Sequence, residues 1–376
     1  MHRTARLPAF LLSAGIAAAT VAPATAGPTL LIDAGNGRVL YAEDLDDLWH
    51  PASLTKIMTA YLTFEAVKSG KLTLESKIPY SENASLQAPS KVGLPVGAEM
   101  SVDMALRALI IKSANDVAMM LAEAIGGSEA GFVEKMNAAT KQLGMTRTVF
   151  ANPNGLPAPE QVTTARDLAK LSRAVLKNYP EYMHYWAMAD MHIGKRRVVT
   201  HNGLLKSFEG ADGLKTGFIC DSGYNVVATA TRDGKRLLAV VLGEATGRDR
   251  NIRAASLLDH GFQTYEWKTV FNTTSLDRLP LAVEAKGITS VRQDVMNFSC
   301  NGRRRPGMVV AKSRQVRAKA AAAAKGKSEP GATAAQPAAT GDGKAAPAKA
   351  AAAAPAAPKQ QKTAPPPKPV AATAKE

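Results

Sequence analysis

Cysteine is scarce in this chain. Two thiols in 376 residues exclude a disulfide-built scaffold and a four-cysteine metal or iron–sulfur centre. Neither they nor the six histidines fall at metal-ligand spacing, so no metal and no cofactor is expected. Long apolar runs are missing too. After the first 26 residues no stretch approaches the roughly 20 apolar residues that cross a bilayer as a helix. Aromatic residues amount to 5% and none follows Phe298. Acidic residues are outnumbered 32 to 47, yet the imbalance is local. From Gly302 onward fifteen Lys and Arg face three Asp and Glu, which leaves residues 27–301 close to neutral. A nucleic-acid partner inferred from net charge would therefore be misplaced on the folded part.

The two ends of the chain have their own composition. His2, Arg3 and Arg6 precede an apolar, Ala-rich core from Leu7 to Ala22, and Ala24-Thr25-Ala26 follows as a small-x-small cleavage site. Residues 1–26 are expected to be a secretory signal peptide, with export to the periplasm or cell envelope. An even cysteine count in an exported chain permits a Cys220–Cys300 disulfide; two separate buried thiols are the alternative. Residues 312–376 are almost wholly Ala, Pro and Lys. Such a segment cannot bury enough apolar surface to offset its chain entropy, so a disordered cationic tail is expected.

Between these ends the periodicity changes twice. Leu30–Ile32 and Val39–Tyr41 flank Asn36-Gly37, the chemistry of a β-hairpin. Leu54, Ile57, Met58, Tyr61 and Leu62 repeat at helical spacing behind Pro51, and Gly70 ends the run. Residues 71–100 hold three prolines and read as short strands and loops. Ser101, Ser128 and Thr164 are N-cap residues ahead of helical patterns, so the middle of the chain reads as an all-helical block. From Val198 the β-branched content rises. Lys215–Phe218, Tyr224–Ala230 and Leu237–Gly243 read as strands, and Arg250–Glu266 as a closing helix. The expected class is α+β: an antiparallel sheet covered by helices, with an all-helical subdomain.

Three short motifs carry chemistry. Ser53 stands three residues before Lys56 at the start of a helix, so both point the same way from a turn whose free N–H groups favour negative charge. A hydroxyl beside an amine is the arrangement covalent acyl transfer needs. Alone, Ser-x-x-Lys is common. Here Ser113-Ala114-Asn115 follows at a helix junction, and Lys215-Thr216-Gly217 opens a strand. This ordered set resembles that of the serine penicillin-recognising enzymes. Asn152-Pro153-Asn154-Gly155-Leu156, Thr163-Thr164-Ala165-Arg166-Asp167, Asp212-Gly213-Leu214 and Gly223-Tyr224-Asn225 narrow the resemblance to the low-molecular-mass D-alanyl-D-alanine carboxypeptidases. It covers roughly residues 28–265. The middle motif is not the Ser-Asp-Asn of class A β-lactamases and no counterpart of their deacylating Glu segment is found, so β-lactam hydrolysis is the weaker reading. The C-terminal β-rich domain and amphipathic anchor usual in the family are not recognisable.

The resemblance implies a D,D-carboxypeptidase trimming peptidoglycan stem peptides that end in D-Ala-D-Ala and acylated by β-lactams. A D,D-endopeptidase, or a non-hydrolytic wall-binding protein on the same fold, are the alternatives. Ser53 would be the nucleophile, Lys56 its base and Ser113 a proton relay to the leaving amine. Asn115 would hold the substrate amide. Lys215 and Thr216, with Gly217 completing the motif, would bind the terminal carboxylate. The N–H groups of Ser53 and Phe218 would form the oxyanion hole. An Arg after the last strand is implied as a second carboxylate contact; Arg250 matches best and Arg248 is the fallback. His201 before Asn202 could line the cleft, but a structural role is the one expected. The implied organisation is 1–26 leader, 27–266 catalytic domain, 267–311 extension and 312–376 tail, the last proposed to contact anionic envelope surfaces.

Overall fold

The computed structural model describes residues 27–271 and 274–295. The expected leader, the tail and Cys300, and with it the Cys220–Cys300 bridge, lie outside the described residues. Among those described, no helix is long and apolar enough to cross a membrane.

The hairpin forms as β1 (Thr29–Asp33) and β2 (Val39–Glu43). A short 3₁₀ turn, Ala52–Thr55, leads into α1 (Lys56–Lys68). The proline-rich stretch holds β3 (Lys77–Pro79), α2 (Glu82–Leu86) and β4 (Glu99–Ser101). The helical block is α3 (Val102–Arg107), α4 (Asn115–Gly126), α5 (Glu129–Gln142) and α6 (Ala165–Asn178). After α7 (Met183–Ala187) comes a hairpin of β5 (Asp190–Ile193) and β6 (Arg196–Val199), which sequence periodicity did not reveal because its residues are largely exposed and polar. Then follow α8 (Leu204–Ser207), β7 (Ala211–Ile219), β8 (Gly223–Arg232), β9 (Lys235–Glu244), α9 (Gly247–Gln263), α10 (Tyr265–Phe271) and α11 (Arg292–Val295).

Ser101, Ser128 and Thr164 cap their helices as expected, each accepting the N–H of the residue three positions on. Thr246 does the same for α9, which therefore begins at Gly247, three residues before the expected start.

The main sheet is antiparallel throughout, in the order β2-β1-β9-β8-β7, so β7 is an edge strand. Side chains alternate between two covered faces. Leu31, Val226, Ala228, Ala239 and Val241 meet Ala254 and Leu258 of α9. Leu30, Ile32, Val227, Leu238 and Val240 meet a larger core built from α1, α4 and α6. Because both faces are buried, the strands read as continuous apolar runs. Helix α4 is buried on nearly every side, from Asn115 to Ala122.

The chain beyond α10 returns across this unit. Thr274 accepts from the Val39 N–H and Gly37 accepts from the Leu276 N–H, at 3.0 and 2.8 Å. Val291 donates to the Asp221 carbonyl at 3.1 Å. Leu276 and Val295 are fully buried. Arg166 anchors this return: it pairs with Asp46 at 2.6 and 2.7 Å and donates to the carbonyls of Leu276, Leu279 and Pro280. Residues 274–295 of the segment expected as a C-terminal extension are thus bonded to the β1–β2 hairpin at Val39 and Gly37 and to the β7–β8 turn at Asp221.

Candidate active site

The site lies where the edge of β7 meets the turn before α1. Ser53 sits in the 3₁₀ turn, one turn earlier than a plain helix start would place it, and Lys56 is the first residue of α1. Two close approaches hold this turn. Gly155 has φ +83°, and a Cβ there would stand 1.9 Å from the Ala52 carbonyl oxygen. Gly217 lies against the other side, where a Cβ would stand 2.9 Å from the Pro51 oxygen and 3.1 Å from the Ser53 nitrogen. Only a residue without a side chain fits either place. Ala52 and Ser113 themselves have positive φ, +48° and +59°. Left-handed backbone at a non-glycine residue costs roughly 1–2 kcal/mol. Both strained residues stand in or beside a motif.

Lys56 is fully buried. Its Nζ donates to Ser53 Oγ at 3.1 Å, to Asn115 Oδ1 at 2.7 Å and to the Asn154 carbonyl. Loss of hydration, and after it the charge of Lys215, pull its amine well below the ordinary lysine range; Asp116 pulls weakly the other way. Lys215 is 2% exposed and donates to Ser113 Oγ at 2.9 Å. Burial, and then the charge of Arg250, lower its amine to about 7. Arg250 is 6% exposed and donates to Asn251 Oδ1 and to the His201 carbonyl. Burial brings its guanidinium down to about 10. None of the three cations forms an ion pair with a carboxylate among the described residues. Buried charges are normally paired, so Lys215 and Arg250 leave this end of the site complementary to an anion.

A cavity of about 450 Å³ opens over these groups. Ser53, Ser113, Asn115, Thr216, Gly217, Phe218 and Arg250 line it, with Lys56 and Lys215 behind its wall. Every residue of the expected site is therefore brought together. Arg248, the fallback, is exposed and does not line the cavity, so the geometry selects Arg250. Asn115 is fully bonded within the protein. Its amide N–H groups already donate to the Ala88 and Pro89 carbonyls at 2.9 and 3.1 Å, and its oxygen accepts from Lys56. In this state it positions the lysine and one wall of the cavity.

That wall was not anticipated. Pro89 and Ser90 belong to a loop tied down by the residues around the second motif. The Asn115 N–H donates to the Ser90 carbonyl, and the Ser90 hydroxyl to the Lys112 carbonyl. Asp116 is fully buried and accepts from the N–H groups of Val92 and Gly93 and from the Tyr80 hydroxyl. The Ser-Ala-Asn-Asp run offered the only sequence signal for this. The opposite wall carries Phe218 and Tyr224, whose rings lie 4.2 Å apart. His201 also lines the cavity, the alternative to the structural role expected for it.

A family model described as D-alanyl-D-alanine carboxypeptidase matches residues 16–246. The chain is 36% identical over 242 residues to D-alanyl-D-alanine carboxypeptidase DacF of Bacillus subtilis, covering 63% of this chain and 62% of that protein. It thus spans less than two thirds of the first curated relatives it matches. Among solved structures it resembles penicillin binding protein 5 from Haemophilus influenzae, with TM-score 0.62 and 36% identity over 64% of this chain and 71% of that one. Penicillin-binding protein D2 from Listeria monocytogenes, solved in its cefotaxime-bound form, matches with TM-score 0.58 and 33% identity over 63% of this chain and 97% of that one.

Proposed function

Because the chain belongs to the D-alanyl-D-alanine carboxypeptidase family, we propose that it removes the terminal D-alanine from peptidoglycan stem peptides through an acyl-enzyme on Ser53. The observation that carries this reading is the Lys56 amine, 3.1 Å from Ser53 Oγ and shifted toward its neutral form. A free lysine near 10.4 is neutral in roughly one molecule in 10³ at pH 7. A buried one beside a second cation supplies a base at neutral pH.

The chemistry follows from the placement. The substrate's terminal carboxylate occupies the end of the cavity where Lys215 and Arg250 supply positive charge and Thr216 a hydroxyl donor. The scissile carbonyl then lies at Ser53, with its oxygen toward the N–H groups of Ser53 and Phe218 on the free edge of β7. Ser53 Oγ bonds to the carbonyl carbon and its proton passes to Lys56 Nζ. The C–N bond breaks as the leaving amine takes a proton by way of Ser113. Water then cleaves the ester, returning the Ser53 hydroxyl and releasing the shortened peptide. A β-lactam acylates Ser53 by the same attack. The substrate lies outside the cytoplasm, which accords with the leader-like composition of residues 1–26.

Purified protein incubated with a fluorescent penicillin and run on a denaturing gel should carry label, and Ser53→Ala should carry none. A stem pentapeptide should lose a single alanine, and a cross-linked dimer should be cut more slowly. Persistent labelling of the Ser53→Ala protein removes Ser53 from the reaction. Faster release from the dimer than from the pentapeptide makes the protein an endopeptidase.

A further inference from the structure

We propose that His201 is a direct contact for the substrate's terminal carboxylate and takes up a proton as that carboxylate binds. The proposal rests on the carboxypeptidase reading above and extends it to a residue outside the three motifs.

His201 sits between β6 and α8, an exposed residue at the rim of the cavity that Thr216 and Arg250 also line. Its backbone carbonyl accepts from Arg250 Nη2 at 3.2 Å, which fixes the residue against that guanidinium. Its neighbour Asn202 is 2% exposed and donates to the Gly213 carbonyl at 3.1 Å, locking the segment onto the start of β7. The imidazole itself has no hydrogen-bond partner among the described residues. A polar ring held by its backbone, unpartnered and facing a cavity, is available to a ligand.

The charges around it all have one sign. Lys215 faces it from β7, Lys112 from the end of the segment after α3, and Arg250 from α9. No carboxylate is among the groups that act on it. Crowding by protein, and after it these three cations, hold the empty-site imidazole below its ordinary range. In the free protein His201 is therefore neutral at pH 7. A bound carboxylate reverses the local balance: it cancels cationic charge and offers an acceptor. The proton-binding tendency of the ring rises on binding, so binding tightens as pH falls through the interval between the two states. Neutral imidazole at neutral pH also keeps the empty site from accumulating a further charge.

The test is the pH dependence of KM between pH 5 and 7, for the wild-type protein and for His201→Gln. Two substrates are used, a D-Ala-D-Ala peptide with a free C-terminal carboxylate and the same peptide as its C-terminal amide. Lys215, at about 7, titrates in the same interval, so the assignment rests on the difference between the two proteins. For the free carboxylate, the fall in KM toward pH 5 should be at least threefold greater in wild type than in His201→Gln. For the amide the two proteins should show the same profile. His201→Arg, which carries a permanent charge, should also lose the pH-dependent difference. Identical KM profiles in wild type and His201→Gln overturn the proposal, as does the same difference appearing with the amide. Hydrolysis of neither peptide by wild type refutes the carboxypeptidase reading instead, and penicillin labelling reads out that case independently.

Discussion

Lys56 is the residue on which the most depends. Three hydrogen bonds fix its amine, and burial, then the charge of Lys215, hold it well below the ordinary lysine range. Arginine keeps the charge and much of the length but does not deprotonate in proteins. Lys56→Arg should therefore lower the rate of penicillin acylation by the 10²–10⁴ typical of a lost general base. Stopped-flow or gel-based acylation rates measure this directly. A rate within tenfold of wild type would mean that another group activates Ser53.

At the scale of elements, the site is a junction in which backbone packs on backbone. The 152–156 loop and β7 clasp the turn carrying Ser53 through Gly155 and Gly217. The cost of closing that clasp can be read by comparing two glycines at similar φ. Gly127, at φ +76°, has open space where a Cβ would go, whereas Gly155, at +83°, has the Ala52 carbonyl. Gly127→Ala should cost about 1 kcal/mol of left-handed strain and leave acylation unchanged. Gly155→Ala adds a backbone collision next to the nucleophile, so it should lower the melting temperature further and slow acylation at least tenfold. Equal effects of the two substitutions on acylation would show that the loop does not set the position of Ser53.

At the scale of the whole molecule, Arg166 and Asp46 form a buried pair, 2% and 1% exposed. Burial opposes the charge on Asp46, yet Arg166 and the Ala282 N–H outweigh it and hold the carboxyl below its usual range. The pair binds the returning chain to the catalytic unit. Arg166→Met leaves a buried carboxylate without its partner, a change worth about 3–5 kcal/mol, and should expose residues 274–295 to limited proteolysis before the sheet unfolds. Protection of that segment equal to wild type would contradict the anchoring role. The proposed contact of residues 312–376 with anionic envelope surfaces rests on their Lys and Arg content. Deleting residues 312–376 should leave hydrolysis of a soluble pentapeptide unchanged but release the protein from cell envelopes at low ionic strength, since surface attraction of this sort is screened by salt. Equal retention of both forms across salt concentrations would exclude tethering.

The local chemistry of this protein is written in its sequence. Helix caps at Ser101, Ser128 and Thr164, the Asn36-Gly37 hairpin and the apolar strands follow from short-range rules that act within a few residues, and each appears as expected. The first motif nominates Ser53 as nucleophile and Lys56 as base because residues three apart at a helix start stand side by side, and the two are 3.1 Å apart. Tertiary structure decided what depends on distant partners. Asn115 spends its amide on Ala88 and Pro89, 27 and 26 positions away. Arg250 rather than Arg248 lines the cavity, because Thr246 starts α9 early enough to turn its fourth residue inward. His201 joins the carboxylate end only because Arg250 and the start of β7 hold its backbone there. The lowered amines of Lys56 and Lys215 are likewise properties of burial and mutual charge. Those arise only once segments some 160 residues apart have been packed into one low-dielectric site.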